Sequence, residues 1–368
     1  SYLQLASGER IHESQELALR VRTSSPGYFR GIVFSEYTGR GWRIPSGSPL
    51  KMVDAREFNV LQVNDLFTTA ETPNPLRESE ISQVFTVVKP HPNFLFHLWK
   101  PWQIRFSLPA YSFSAYVMQD DALSLRTSFL LEPDFRYRIV SEAMGENTQE
   151  VLQWEEEAPE KWDSRWAIYL SLPPLPKRVK ELARRVAGSG SVSQKMTRLM
   201  DFLLQEYTYT LDVPKIPQGQ DAVDFFLFES RRGYCEYFAS ALAVLARSIR
   251  IPARVVGGYR GGTYDALSGD FLIYEKDAHT WVEYYLPGIG WAIADATPEA
   301  HFPPAQEDFL APIPQPTAQS FLSGASSFNR FLYLWAVFQA RVSDWLYPLA
   351  SLPRRQKLFF LFLIFSPA

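Results

Sequence analysis

A single cysteine in 368 residues leaves the chain without an internal disulfide and without a cysteine-built zinc site. Charge of one sign is equally scarce. With 37 basic against 40 acidic side chains the net charge is −3, so there is no electrostatic footprint for a nucleic-acid partner. No apolar stretch approaches the roughly 20 residues that a bilayer-crossing helix needs, and the run Leu358–Phe365 stops at Ser366-Pro367-Ala368. Composition excludes wholesale disorder, at 46% hydrophobic and 21% charged residues. Ser1 opens the chain in place of Met and no signal peptide follows, which reads as an excised or processed piece. Metal and nucleotide motifs are missing too. Asp265 and Asp270 lack EF-hand spacing, and Gly257 to Gly262 lacks the Gly-Lys-Ser/Thr ending of a phosphate-binding loop. No cofactor and no metal are expected.

What the chain does have is aromatic mass, at 15% with 10 Trp, and 27 prolines that fall mostly between blocks. Residues 1–145 read as a β-rich domain. Leu17, Leu19 and Val21 alternate with Ala18, Arg20 and Arg22, the period of a half-buried strand. Tyr28 to Phe34 predicts another, followed by turn chemistry at Thr38 to Gly41 with Trp42 on the return. Runs at Val84–Val88, Ile104–Leu108, Tyr111–Met118 and Phe135–Val140 complete a pattern of short strands suited to a sandwich or barrel. His91 and His97 lie among aromatics there and read as structural histidines.

Residues 146–175, with Glu155 to Glu157 and Pro173 to Pro176, read as a linker. Beyond it the period changes to 3.6. One helix starts with Pro176 at its first position, carries Val179, Leu182, Ala183 and Val186 on one face, and ends at Gly188. A second starts from a serine cap near Ser193 and buries Met196, Leu199, Met200, Leu203 and Tyr207. A third begins at Cys235, buries Phe238, Ala241, Leu242 and Leu245, and stops near Arg250 because Pro252 disfavours helix at Ile251. Strands at Arg254–Tyr259, Phe271–Tyr274, Thr280–Tyr285 and Trp291–Ala294 follow. Helices and then consecutive strands make residues 176–300 an α+β domain.

A lone cysteine reads first as a small buried hydrophobe. Cys235 differs in opening a long helix, where backbone dipoles supply about half a positive charge and favour the thiolate. A nucleophile also needs a base, and the base an orienting acceptor. Of His12, His91, His97, His279 and His301, only His279 has a suitable partner in the pattern. Leu286 to Gly290 is a turn, and a hairpin centred on Pro287 sets His279 directly across from Asp295. Side chains so opposed have Cβ atoms about 4.5–5.5 Å apart, within reach of a carboxylate–imidazole hydrogen bond. Alone, such a pair reads equally as a structural ion pair.

Four blocks carry a resemblance. They are Gly233-Tyr234-Cys235-Glu236-Tyr237-Phe238-Ala239-Ser240-Ala241, Ile251-Pro252-Ala253-Arg254-Val255-Val256-Gly257-Gly258-Tyr259, Asp277-Ala278-His279-Thr280-Trp281-Val282-Glu283, and Gly290-Trp291 with Asp295-Ala296-Thr297-Pro298. Their order and spacing resemble the transglutaminase-like superfamily, and more narrowly its bacterial subset in which this domain is an extracytoplasmic segment of a multi-pass membrane protein. The resemblance implies a papain-like core, helices packed on an antiparallel sheet, preceded by an all-β sandwich-like domain. It also implies a triad of Cys235 as nucleophile, His279 as general base and acid, and Asp295 as its orienter. The implied reaction is acyl transfer from protein glutamine carboxamides through a cysteine thioester to an amine. Hydrolysis on the same triad, as a cysteine peptidase or amidase, and a non-enzymatic peptide-binding periplasmic scaffold are the alternatives. Implied partners are protein or peptide substrates bearing glutamine and an amine acceptor.

Within that frame Trp281 and Trp291 either line the acyl-donor channel or pack under it. The Cys235 backbone N–H is one oxyanion donor, and Tyr207, Tyr209, Gln218 and Gln220 are candidates for the second. Tyr234 and Glu236 have structural roles, and Arg254 and Tyr259 support the sheet. Thr280 stands where the family often has Ala, on the opposite strand face from His279, with no catalytic effect expected.

Residues 301–325 read as a Pro-rich strap. Residues 326–368 read as an amphipathic helix, with Phe328, Phe331, Leu332, Trp335, Phe338, Val342 and Trp345 on one stripe, and a membrane-proximal stub. The stripe with the apolar run after it, and the resemblance, imply attachment through truncated transmembrane segments at the periplasmic face of the cytoplasmic membrane. Arg354, Arg355 and Lys357 pull toward the cytoplasmic side.

Overall fold

Alternation of apolar and polar side chains becomes strand pairing in both the amino-terminal part and the segment after Pro252. In the computed structural model, which describes residues 2–5, 14–45, 50–54, 61–62, 80–90, 93–106, 116–142 and 162–298, the amino-terminal part is strand-rich. Its principal strands are β1 (Leu17–Arg22), β2 (Tyr28–Phe34), β3 (Glu80–Val87) and β4 (Arg136–Glu142). The strap at 301–325, the helix and stub at 326–368, most of the 146–175 linker, and His12, His91 and His301 lie outside the described residues.

Three helices follow, α1 (Lys177–Ala187), α2 (Val192–Glu206) and α3 (Cys235–Ser248). Pro176 caps α1 from outside, and Gly188 ends it at φ +60°, a left-handed value that glycine adopts without steric cost. The cap of α2 is Ser191 and not Ser193. Ser191 accepts from the Gln194 N–H while the Gln194 side chain accepts from the Ser191 N–H, a reciprocal box that Ser193 cannot make. α3 is buried from Tyr237 to Arg247, and Ala239, Ala241, Ala243 and Ala246 let it lie close against the sheet. α1 and α2 pack beside it through Val179, Leu182, Met196 and Leu199.

The sheet under α3 holds four antiparallel strands in the order β8 (Gly290–Ala294), β7 (Ala278–Leu286), β5 (Ala253–Arg260) and β2. A seven-stranded antiparallel sheet runs Thr263–Asp265, β6 (Asp270–Tyr274), β1, β3, β4, Pro101–Phe106 and Leu61–Gln62. β2 therefore completes the sheet of the 176–300 segment, and β6 joins the sheet of the 1–145 segment. The two segments interleave, and pairing over such separations leaves no local pattern to read. Gly258 marks the closest approach, since a Cβ there would lie 2.1 Å from the Phe29 carbonyl oxygen on β2.

The sheet face away from α3 carries a buried ion triad. Glu283 on β7 accepts from Arg30 of β2 at 3.0 and 3.1 Å and from Arg254 of β5 at 2.6 Å. Arg30 also donates to the carbonyls of Ala122 and Leu123, and the Arg254 guanidinium lies 3.8 Å from the Trp291 ring centre. His97 is buried beside this group, with ring nitrogens 2.6 and 3.2 Å from the carbonyl oxygens of Leu98 and Leu123. Burial, and then the charge of Arg30, push its imidazole down to about 3. The unfolded chain thus takes up a proton near pH 6.5 that the folded chain refuses. Stability from neutral His97 is complete above that pH and is lost as pH falls toward 3. Urea titrations are expected to show this loss between pH 6.5 and 4, and His97→Gln to flatten it.

Candidate active site

The segment before α3 is shaped to expose its first residue. A π-helical turn, Phe226–Ser230, ends on Arg231 at φ +50°, and Arg232–Gly233 then pairs in parallel with Thr208–Tyr209. Gly233 is required there, because a Cβ would lie 2.6 Å from Tyr237 Cβ. Tyr234 is the N-cap residue in extended conformation, and Cys235 is the first helical residue, half-buried.

The Cys235 thiol meets Thr280, which donates from both its backbone N–H and its hydroxyl. Thr280 lies on the strand face opposite His279, as expected, and that is the face that α3 covers. A second feature is electrostatic. Burial, and then the carboxylate of Glu236, outweigh the donors on the sulfur and push the thiol up to about 12. This direction is opposite to the one that the helix start alone gives. Burial pushes Glu236 itself up to about 7, against a hydrogen bond with Tyr234. Removing that negative charge must make the thiolate easier to form. Glu236→Gln is expected to speed iodoacetamide labelling of Cys235 at pH 8 several-fold.

The hairpin register is centred on Gly288, since Tyr285 pairs with Trp291 and Leu286 with Gly290. Extended by one pair, it sets Asp295 opposite Trp281 and not opposite His279. Moving the centre by one residue moves each partner by two, which keeps the same sheet face. His279 and Asp295 thus meet diagonally, with Nε2 2.7 Å from Oδ2. Asp295 Oδ2 also accepts from the Tyr28 hydroxyl at 2.9 Å and Arg260 Nη1 at 3.1 Å, and Oδ1 accepts from Thr297 N–H at 3.0 Å. Burial alone would raise the Asp295 carboxyl. Its hydrogen bond with His279, the charges of His279 and Arg260, and the Thr297 N–H outweigh burial and hold it below the usual carboxylate value.

Trp281 is 1% exposed, so it packs beneath the site and lines no open channel. Its ring lies 6.2 Å from His279 at 19° and 5.1 Å from Tyr28. Trp291 belongs to an aromatic group with Trp166, Tyr169 and Tyr285, four residues along the chain from Asp295 and about 13 Å away at strand spacing. Of the four oxyanion candidates, Tyr207 donates to the Leu227 carbonyl, Gln220 to Glu229, and Gln218 is exposed. Tyr209 pairs with Gly233, two residues before Cys235. Arg254 supports the sheet through Glu283, and the Tyr259 ring packs on Phe96. Asp265 accepts from Ser268 and Asp270 pairs with Arg22, and no group of three or more metal-ligating side chains occurs among the described residues.

Comparison with known proteins now bears on this geometry. Residues 180–296 match the family model of the transglutaminase-like superfamily. That segment has the fold of a transglutaminase-like core. Residues 3–144 match the TgpA N-terminal domain. Two crystal structures of the periplasmic domain of TgpA from Pseudomonas aeruginosa share the fold of the core and the strand-rich part before it. One, bound to ethylmercury, is 27% identical with a TM-score of 0.55 over 77% of this chain and 90% of that one. The other is 25% identical with a TM-score of 0.56 over 77% and 88%. A protein-glutamine gamma-glutamyltransferase of Pseudomonas aeruginosa is 43% identical over 99 residues, 27% of this chain. Protein YebA of Bacillus subtilis, uncharacterized, is 41% identical over 137 residues, 35% of this chain. The chain spans only 14% and 19% of the lengths of these curated relatives. No helix among the described residues is long and apolar enough to cross a membrane.

Sequence reasoning missed Tyr28 and Arg260 at the carboxylate. Arg260 pairs with Tyr28 at the end of β5, so both follow from the β2–β5 pairing that only the fold reveals.

Proposed function

We propose that the protein is a cysteine acyltransferase acting on glutamine carboxamides, with Cys235 as nucleophile, His279 as base and acid, and Asp295 as orienter. The observation that carries this reading is the 2.7 Å His279–Asp295 contact, made next to the strand residue whose N–H and hydroxyl bind the Cys235 sulfur. The curated relative named as a protein-glutamine gamma-glutamyltransferase supports the substrate class.

A thiol pushed up to about 12 is a proton donor, so His279 takes its proton as sulfur attacks the carboxamide carbon. The S–C bond forms, the tetrahedral oxygen takes up negative charge, and the Cys235 backbone N–H stabilises it. His279 passes the proton to the departing nitrogen, the C–N bond breaks, and ammonia leaves behind a thioester. An amine then attacks the thioester carbon, gives its proton to His279, and displaces the sulfur, which recovers the proton. Water at the second step would give glutamate instead.

Proteins or peptides with glutamine and a lysine-type amine are the partners in this reading. Its setting is the periplasm, supported by likeness to the periplasmic domain of TgpA, with membrane attachment through segments beyond the described residues. The test is amine incorporation into a glutamine peptide measured beside ammonia release. Equal incorporation and release is the expected result. Release without incorporation makes the protein an amidase, and neither product sinks the enzymatic reading.

A further inference from the structure

The carboxylate of Asp295 is held by more than its imidazole. Tyr28 is the first residue of β2, 267 positions ahead of Asp295, yet its hydroxyl lies 2.9 Å from Asp295 Oδ2. Its ring is wedged between Trp281, 5.1 Å away, and the Arg260 guanidinium, 5.1 Å over the ring, so the hydroxyl has little freedom to turn aside. His279 Nε2 shares the same oxygen at 2.7 Å.

With Arg260 Nη1 at 3.1 Å, three donors converge on this one oxygen, and together they divide its basicity and fix its direction. They also fix the imidazole tautomer. With the Nε2 proton directed at Asp295, Nδ1 is left as the acceptor that a base must present. The phenol is neutral, so it steers the carboxylate without adding a second charge beside Arg260.

We propose that Tyr28, supplied by the amino-terminal strand, is a positioning residue for the proposed reaction: its hydroxyl holds Asp295 Oδ2 in place against His279. The inference rests on the reading of His279 as base, but its test does not depend on turnover. Tyr28→Phe removes one oxygen and leaves the wedge between Trp281 and Arg260 filled. The first readout is the proton magnetic resonance of the His279 Nε2–H, identified by its loss in His279→Gln. With one donor gone, Oδ2 becomes a stronger acceptor, and the resonance is expected to move downfield in the Tyr28→Phe protein. The second readout is kinetic, with kcat expected to fall about tenfold and KM for the glutamine peptide unchanged. In an Asp295→Asn background, Tyr28→Phe is expected to cost no further kcat.

An unmoved resonance overturns the proposal. So does an equal further loss in the Asp295→Asn background, which would make Tyr28 a structural residue only. A wild-type protein with no turnover would refute the proposed function, and the resonance would still decide the role of Tyr28.

Discussion

Cys235→Ala is expected to lower amine incorporation by about 10⁴-fold or more, to the level set by binding alone. Without the sulfur no thioester can form, and the chain has no other cysteine to replace it. Wild-type protein mixed with a glutamine peptide and quenched in acid should carry a peptide adduct on the fragment containing Cys235, labile to hydroxylamine; the variant should carry none. Folding should be little disturbed, because a half-buried thiol gives way to a slightly smaller methyl at a helix position that alanine favours. Asp295→Asn should keep the nucleophile but lose the carboxylate's charge, and on triad precedent loses on the order of 10⁴-fold. Incorporation that persists in Cys235→Ala would remove the cysteine from the chemistry.

The second large effect is on stability. Glu283→Ala leaves Arg30 and Arg254 facing one another, both buried, with the carboxylate that separates them gone. Removing one partner from a buried ion group costs about 3–5 kcal/mol, because uncompensated charge remains in the interior. That is a large share of the 5–15 kcal/mol typical of a folded domain. Burial would raise the Glu283 carboxyl, but attraction and hydrogen bonds from both guanidinium groups hold it below its ordinary value. Its stabilisation is therefore complete above about pH 4.3, the ordinary glutamate range, and is lost as pH falls through the lowered value. Urea titration should find Glu283→Ala weaker at pH 7 and its stability less sensitive to acid than that of the wild type. A loss under 1 kcal/mol would mean that water reaches the two arginines.

Much of the core was legible because its signals are local. The helical period starting at Cys235, the Pro252 that ends it, and the turn at Leu286 to Gly290 are each written within a few residues. Even the misplaced hairpin centre did no harm, since a one-residue error there preserves the face on which His279 and Asp295 meet. What the sequence hid was distant or three-dimensional. Nothing near Tyr28 or Arg30 announces that β2 will lie beside β5. The closeness of Thr280 to Cys235 is hidden because strand alternation says which face a residue takes but not what covers it. The surroundings of the thiol are hidden for a related reason: a helix dipole is visible in sequence, whereas desolvation and the reach of Glu236 are not.

The interleaving of β2 with the last hairpin has a consequence for the order in which the protein is made. Tyr28 leaves the ribosome 267 residues before the carboxylate it binds. During synthesis β2 and β5 can pair, and α3 can present its thiol, while the strand bearing the base is still unmade. Loops of this length close late in folding, because the entropy of joining distant segments comes due before their contacts form. At that stage a nascent chain holds the thiol but neither Thr280 nor His279 beside it. In the proposed mechanism acyl transfer becomes possible only once the β7–β8 hairpin docks, so the topology itself delays the chemistry until that strand is in place.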